Sequence, residues 1–148
     1  MFLQAIKSKK APAAIGPYSP GVKLGDFVYL SGQIPLDPAT NAMVEGGIKE
    51  QTTRVLENIT ALLAEINLGL HHIVKTTVFL SDLADFTEMN EIYATYFTEP
   101  YPARSTVQVA ALPKNAKVEI ECLVLDTLAY EQENCAGCQG GCDNSCRE

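Results

Sequence analysis

Arginine is scarce in this 148-residue chain, and the scarcity singles out a position. Of Arg54, Arg104 and Arg147, only Arg104 follows a proline-stiffened segment, Tyr101-Pro102-Ala103, at what reads as the mouth of a strand. A guanidinium held there is placed to grip a carboxylate through two parallel N–H bonds. The competing reading is an ordinary surface ion pair. Glu119 and Glu121 stand two apart in the run from Lys117 to Leu125, so both project from the strand face opposite Val118, Ile120 and Cys122. Such a carboxylate can order or activate a water where the face lines a cleft beside Arg104; the alternative is a solvated strand face.

Other residue types carry less. Ile15-Gly16-Pro17-Tyr18-Ser19-Pro20 is a backbone-rigid loop that presents Tyr18, and Ser31-Gly32-Gln33 either approaches a ligand closely through Gly32 or ends a strand. His71 and His72 are adjacent, so on a strand they would point to opposite faces; neither has an evident partner acid, and both read as structural or exposed. Cys122 sits in an apolar run and reads as a small, inert, buried hydrophobe. Cys135, Cys138, Cys142 and Cys146 crowd a glycine-rich strip at the end of the chain. Their spacing is compatible with zinc, copper(I) or an iron–sulfur cluster, with disulfides, or with a reduced, disordered tail, and it matches neither paired CxxC motifs nor a ferredoxin run.

The elements that must position these groups follow from periodicity. Phe27 to Leu30, between Gly25-Asp26 and Gly32, reads as a buried strand, with a short return strand near Met43-Val44-Glu45. From Ile48 to Ile66 apolar residues recur at three- and four-residue steps, a long helix stopped by Asn67-Leu68-Gly69. Ile73 to Leu80 is β-branched and extended; a helix capped by Ser81 or Asp82 follows, with Phe86, Met89, Tyr93, Tyr96 and Phe97 as its apolar face. Strands near Ser105–Ala110 and Lys117–Leu125 complete a ββαβαββ order, an α+β domain over residues 1–126 with both helices on one sheet face. The other face carries apolar residues too, which predicts a second subunit against it.

Composition narrows the function. The chain is 47% hydrophobic and 20% charged, which suits a globular protein that needs neither metal nor disulfide to fold. The net charge of −7 opposes a nucleic-acid or anionic-membrane surface, and residues 127–148 carry −3 of it as a distinct acidic tail. No apolar run is long enough to span a membrane, and the N-terminus lacks a signal-peptide core before Lys7, so the expected compartment is the reducing cytosol.

Five blocks, in order, carry a resemblance. Ala14-Ile15-Gly16-Pro17-Tyr18-Ser19, Leu30-Ser31-Gly32-Gln33-Ile34-Pro35, Val74-Lys75-Thr76-Thr77-Val78-Phe79-Leu80, Tyr101-Pro102-Ala103-Arg104-Ser105 and Leu112-Pro113-Lys114 through Val118-Glu119-Ile120-Glu121 resemble the YjgF/RidA family of reactive-intermediate (2-imino acid) deaminases. The resemblance implies a chorismate-mutase-like fold, a homotrimer with clefts between subunits, and cofactor-free hydrolysis of enamines and imines such as 2-aminoacrylate to 2-oxo acids and ammonia. It further implies that Arg104 holds the substrate carboxylate, that Glu119 positions the attacking water, and that Tyr18, Ser31, Gly32, Asn90 and Thr106 line the cleft, Tyr18 reaching in from a neighbour. Thr106 stands where some bacterial members have a cysteine, and the tail is no part of the family pattern. An endoribonuclease or translation-inhibitor activity, attributed to some relatives, and a non-catalytic binder or chaperone are the alternatives. The negative charge counts against the first.

Overall fold

The computed structural model describes residues 2–131. Its frame is a six-stranded sheet built from β1 (Gln4–Ile6), β2 (Gly21–Leu24), β3 (Phe27–Gln33), β4 (Ile73–Leu80), β5 (Ala103–Gln108) and β6 (Val118–Leu125), in the order β1-β2-β3-β6-β4-β5. All neighbours run antiparallel except β4 and β5. Two helices, α1 (Ile48–Ala64) and α2 (Phe86–Tyr96), complete the mixed α+β fold.

The element order is therefore βββαβαββ, which corrects the predicted ββαβαββ in two places. The expected return strand at Met43-Val44-Glu45 is reduced to a single bridge, Leu36 to Met43, because Gly46 at φ +110° and Gly47 turn the chain at once into α1. The other two strands, β1 and β2, escaped notice because they are short. The Gly25-Asp26 turn, with Gly25 at φ +60°, joins β2 to β3 as a hairpin.

Helix α1 begins where Gly47 donates its N–H to the Glu50 carboxylate at 2.7 Å. Its predicted stripe, Val55, Leu56, Ile59, Leu62 and Leu63, is wholly buried against the sheet. Two polar side chains on this face tie the helix to neighbouring segments: Asn58 Nδ2 donates to Leu36 O at 3.0 Å, and Gln51 Oε1 accepts from Lys117 N–H at 2.8 Å. On α2, Met89, Tyr93 and the following Phe97 are buried as expected, whereas Phe86 stays partly exposed beside Arg104. Asp82 does cap, accepting from Ala84 N–H at 2.8 Å, but over a 3-10 turn that precedes α2.

Strand alternation separates the two sheet faces. Val28, Leu30, Val78, Leu80, Val118, Ile120, Cys122 and Val124 are buried under the helices. Cys122 has its thiol pushed up to about 12 by burial, which makes it the inert hydrophobe expected. The opposite face presents Leu24, Phe27, Tyr29 and Val107, each between 41% and 52% exposed.

Residues 127–131 continue along the domain. Leu128 packs against the core, Tyr130 donates to Asp26 at 2.9 Å, and the Asp126 carboxylate pairs with Lys23. No helix among the described residues is long and apolar enough to cross a membrane.

Candidate active site

Strand β5 is a sheet edge, and Arg104 stands opposite Thr76 of β4. Thr76 is buried on the helix side and shares a hydrogen bond of 2.8 Å with the Tyr93 hydroxyl. Arg104 therefore projects toward α2, where its guanidinium lies 4.6 Å from the Tyr93 ring centroid and 5.7 Å from that of Phe86. Aromatic faces orient a guanidinium without consuming its N–H donors. Among the described residues no carboxylate pairs with it, so the surface ion-pair reading does not hold there. A cavity of about 430 Å³ opens beside it, lined by Asn90, Tyr93, Ala94, Tyr101, Pro102 and Arg104.

Thr106 follows on the same side of β5, opposite buried Val78. Its hydroxyl is buried and has no hydrogen-bond partner among the described residues. A buried hydroxyl in that state costs free energy unless something supplies a partner.

Glu119 lies on the other sheet face. Its neighbours Val118 and Ile120 are buried under the helices, so Glu119 and Glu121 both point outward, as their spacing predicted. The β3–β6 pairing shifts register between Leu30 and Gln33, and this irregularity brings Gly32 against the Glu119 side chain. A Cβ added at Gly32 would stand 2.7 Å from Glu119 Cδ and 2.9 Å from its Cγ. Gly32 is thus the floor on which the carboxylate rests, a role that no local sequence signal discloses. Burial first, and the like charge of Glu121 second, hold the Glu119 carboxyl above its ordinary range.

Ser31 has its proton engaged, donated to Ser19 O at 2.7 Å, which ties the tyrosine loop to the end of β3. Tyr18, itself 48% exposed, accepts from Ile15 N–H at 3.3 Å. Tyr18 and Ser31 line a second cavity, of about 510 Å³, with Tyr29, Lys75, Thr77 and Glu121. Tyr29, Lys75 and Thr77 are the residues of this group that sequence reasoning passed over, although the last two stand in a quoted block.

One chain therefore divides the predicted residues in two. Arg104, Asn90 and Thr106 stand at the α2 edge, while Tyr18, Ser31, Gly32 and Glu119 belong to the outward face and its rim. The expected juxtaposition of Glu119 with Arg104 does not occur within one chain, because the two strands turn these residues to opposite faces.

The sequence profile of the Endoribonuclease L-PSP family matches residues 8–125. The chain belongs to this family, that of the YjgF/RidA proteins. It is 45% identical over 122 residues to the 2-iminobutanoate/2-iminopropanoate deaminase of Mus musculus, covering 82% of this chain and 90% of that one. Among solved structures, RidA from an Antarctic Psychrobacter superposes with a TM-score of 0.80 at 48% identity, over 82% of this chain and 98% of that one. The E. coli protein TdcF, solved with bound serine, gives 0.78 at 44% identity over the same shares. The cysteines 135, 138, 142 and 146 lie outside both the family match and the described residues.

Proposed function

We propose that this protein hydrolyses small 2-imino acids and their enamines, 2-aminoacrylate among them, to 2-oxo acids and ammonia, in clefts where Arg104 of one subunit faces Glu119 of the next in a homotrimer. The observation that carries the reading is the Arg104 guanidinium at a cavity edge, which pairs with no carboxylate among the described residues, in a chain 45% identical to a protein named for imine deamination. The apolar outward face of the sheet supplies the surface for assembly, since Leu24, Phe27 and Tyr29 are more exposed there than a monomer ordinarily leaves a contiguous apolar face.

The chemistry asks little of the protein. Arg104 holds the substrate carboxylate bidentately, with the Asn90 side chain beside it. An enamine first takes a proton at its terminal carbon and becomes an iminium, which is already electrophilic at C2. A water resting on Glu119 adds to that carbon, forming a C–O bond as the C=N π electrons move to nitrogen. Glu119 accepts the proton released by the water and returns it to nitrogen. The C–N bond then breaks, ammonia leaves, and the C2 hydroxyl loses its proton to give the carbonyl. Holding water and substrate at near-attack distance provides most of the acceleration. The raised position of the Glu119 carboxyl makes it a better proton acceptor than an ordinary carboxylate.

The test generates 2-aminoacrylate with a serine dehydratase and follows pyruvate. The protein accelerates its appearance; a rate equal to that without protein overturns the proposal. The same assay carries a pH prediction. Glu119 acts ionised, so kcat/KM falls as pH drops through its raised value, and the acid limb sits above the ordinary carboxylate range. Glu121→Gln removes the like charge and moves that limb to lower pH; a limb that stays in place would show that Glu119 does not govern the rate.

A further inference from the structure

Tyr93 reads in the sequence as one more apolar residue on the buried stripe of α2, and the structure gives its ring a second neighbour besides the core. The ring is buried and stacks on that of Phe97, with centroids 4.4 Å apart at 28°. The Arg104 guanidinium lies over the same ring, 4.6 Å from its centroid. The hydroxyl is held as well. It shares its 2.8 Å hydrogen bond with buried Thr76, and Thr76 is the register partner of Arg104 on the adjoining strand. Ring and guanidinium are thus tied to one point of β4, the first through a side chain and the second through the β4–β5 pairing. Burial above all lifts the Tyr93 hydroxyl above the ordinary tyrosine range, against the pull of the Thr76 bond and of Arg104, so the arginine meets a neutral ring and not a phenolate. Phe86 and Tyr93 are seven residues apart on α2, with Asn90 between them at steps of four and three. One stripe of the helix therefore presents two rings and an amide to the sheet edge.

We infer that Tyr93 is a positioning residue for Arg104: its fixed ring, with Phe86 at 5.7 Å beside it, holds the guanidinium in the orientation that grips a carboxylate before any substrate arrives. Attraction to an aromatic face leaves the N–H donors of the fork available to oxygen acceptors. That matters at this edge, because among the described residues no carboxylate holds Arg104 in place. A long arginine side chain has many other rotamers to visit, and affinity falls in proportion to the time it spends in them. The consequence for substrate rests on the proposed hydrolysis; the holding of the guanidinium does not.

The experiment places phenylalanine with zero, one, two or three ring fluorines at position 93, a series that alters shape little while it drains the negative face of the ring. The missing hydroxyl is common to all four proteins and cancels. Two quantities are read: the NMR order parameter of the Arg104 Nε–H, assigned by its loss in Arg104→Lys, and the steady-state constants for imine hydrolysis. The order parameter is expected to fall stepwise with fluorine number, and KM to rise in step to about fivefold at three fluorines, with kcat nearly constant. A purely structural role for Tyr93 predicts neither trend, since packing is nearly the same throughout. An order parameter that does not change along the series overturns the inference whatever the kinetics do, and so does a falling order parameter with an unchanged KM. A falling order parameter in a protein that hydrolyses no imine leaves Tyr93 as the holder of Arg104 and overturns the proposed hydrolysis instead.

Discussion

Arg104→Ala is expected to lower kcat/KM for the proposed 2-aminoacrylate hydrolysis by about 10²-fold, the equivalent of losing roughly 2.7 kcal/mol of charge-assisted bonding to the carboxylate. Most of the loss falls on KM, because the carboxylate is held as firmly before the reaction as during it. Arg104→Lys recovers part of it: the charge remains, but not the fork that engages both oxygens. The fold loses only the contacts of the guanidinium with the Tyr93 and Phe86 rings. Among the described residues Arg104 pairs with no carboxylate, so its removal strands no buried charge, and the stability read from urea unfolding falls by no more than about 1 kcal/mol. A variant with unchanged KM and kcat would show that Arg104 does not touch substrate.

Gly32→Ala has the opposite kinetic signature. Its backbone is not in the left-handed region, so alanine is sterically allowed there, but the new methyl occupies the space of the Glu119 side chain. The obstruction is a flexible side chain, not backbone, and it yields by swinging away. Stability is therefore nearly kept while the water loses its support. The expectation is a fall in kcat of about 10²-fold with little change in KM, since misplacing a reacting group by about an ångström costs that much. Rates matching the wild type would mean that the carboxylate works equally well from a shifted position, against the role assigned to it here.

These two residues differ in how far the sequence discloses them. Arg104 was legible because arginines are few and this one follows Tyr101-Pro102-Ala103. The outward direction of Glu119 and Glu121 was legible from strand alternation alone. The significance of Gly32 was not, because it depends on a register shift between β3 and β6, strands separated by most of the chain. Both helices appeared in the three- and four-residue spacing of their apolar faces, while β1 and β2 were too short to show an alternation. The separation of Arg104 from Glu119 was equally hidden. It follows from β5 joining the edge of β4 in parallel, a pairing that local sequence does not encode. The reading of His71 and His72 as exposed or structural holds, since His71 is exposed and His72 is buried, but the turn that stacks them and the Glu131 carboxylate near His72 are tertiary facts that the sequence does not show.

That separation also provides the most direct test of the proposed active site. At 2-aminoacrylate concentrations well below KM, Arg104→Ala and Glu119→Gln subunits are each expected to form pyruvate at no more than a small fraction of the wild-type rate. Co-refolded in equal amounts into a mixed homotrimer, they should regain about a quarter of wild-type activity, the share of clefts in which an intact Arg104 meets an intact Glu119 across an interface. A mixture no more active than either variant alone, with mixed assembly verified by native mass spectrometry, would contradict a cleft shared between subunits.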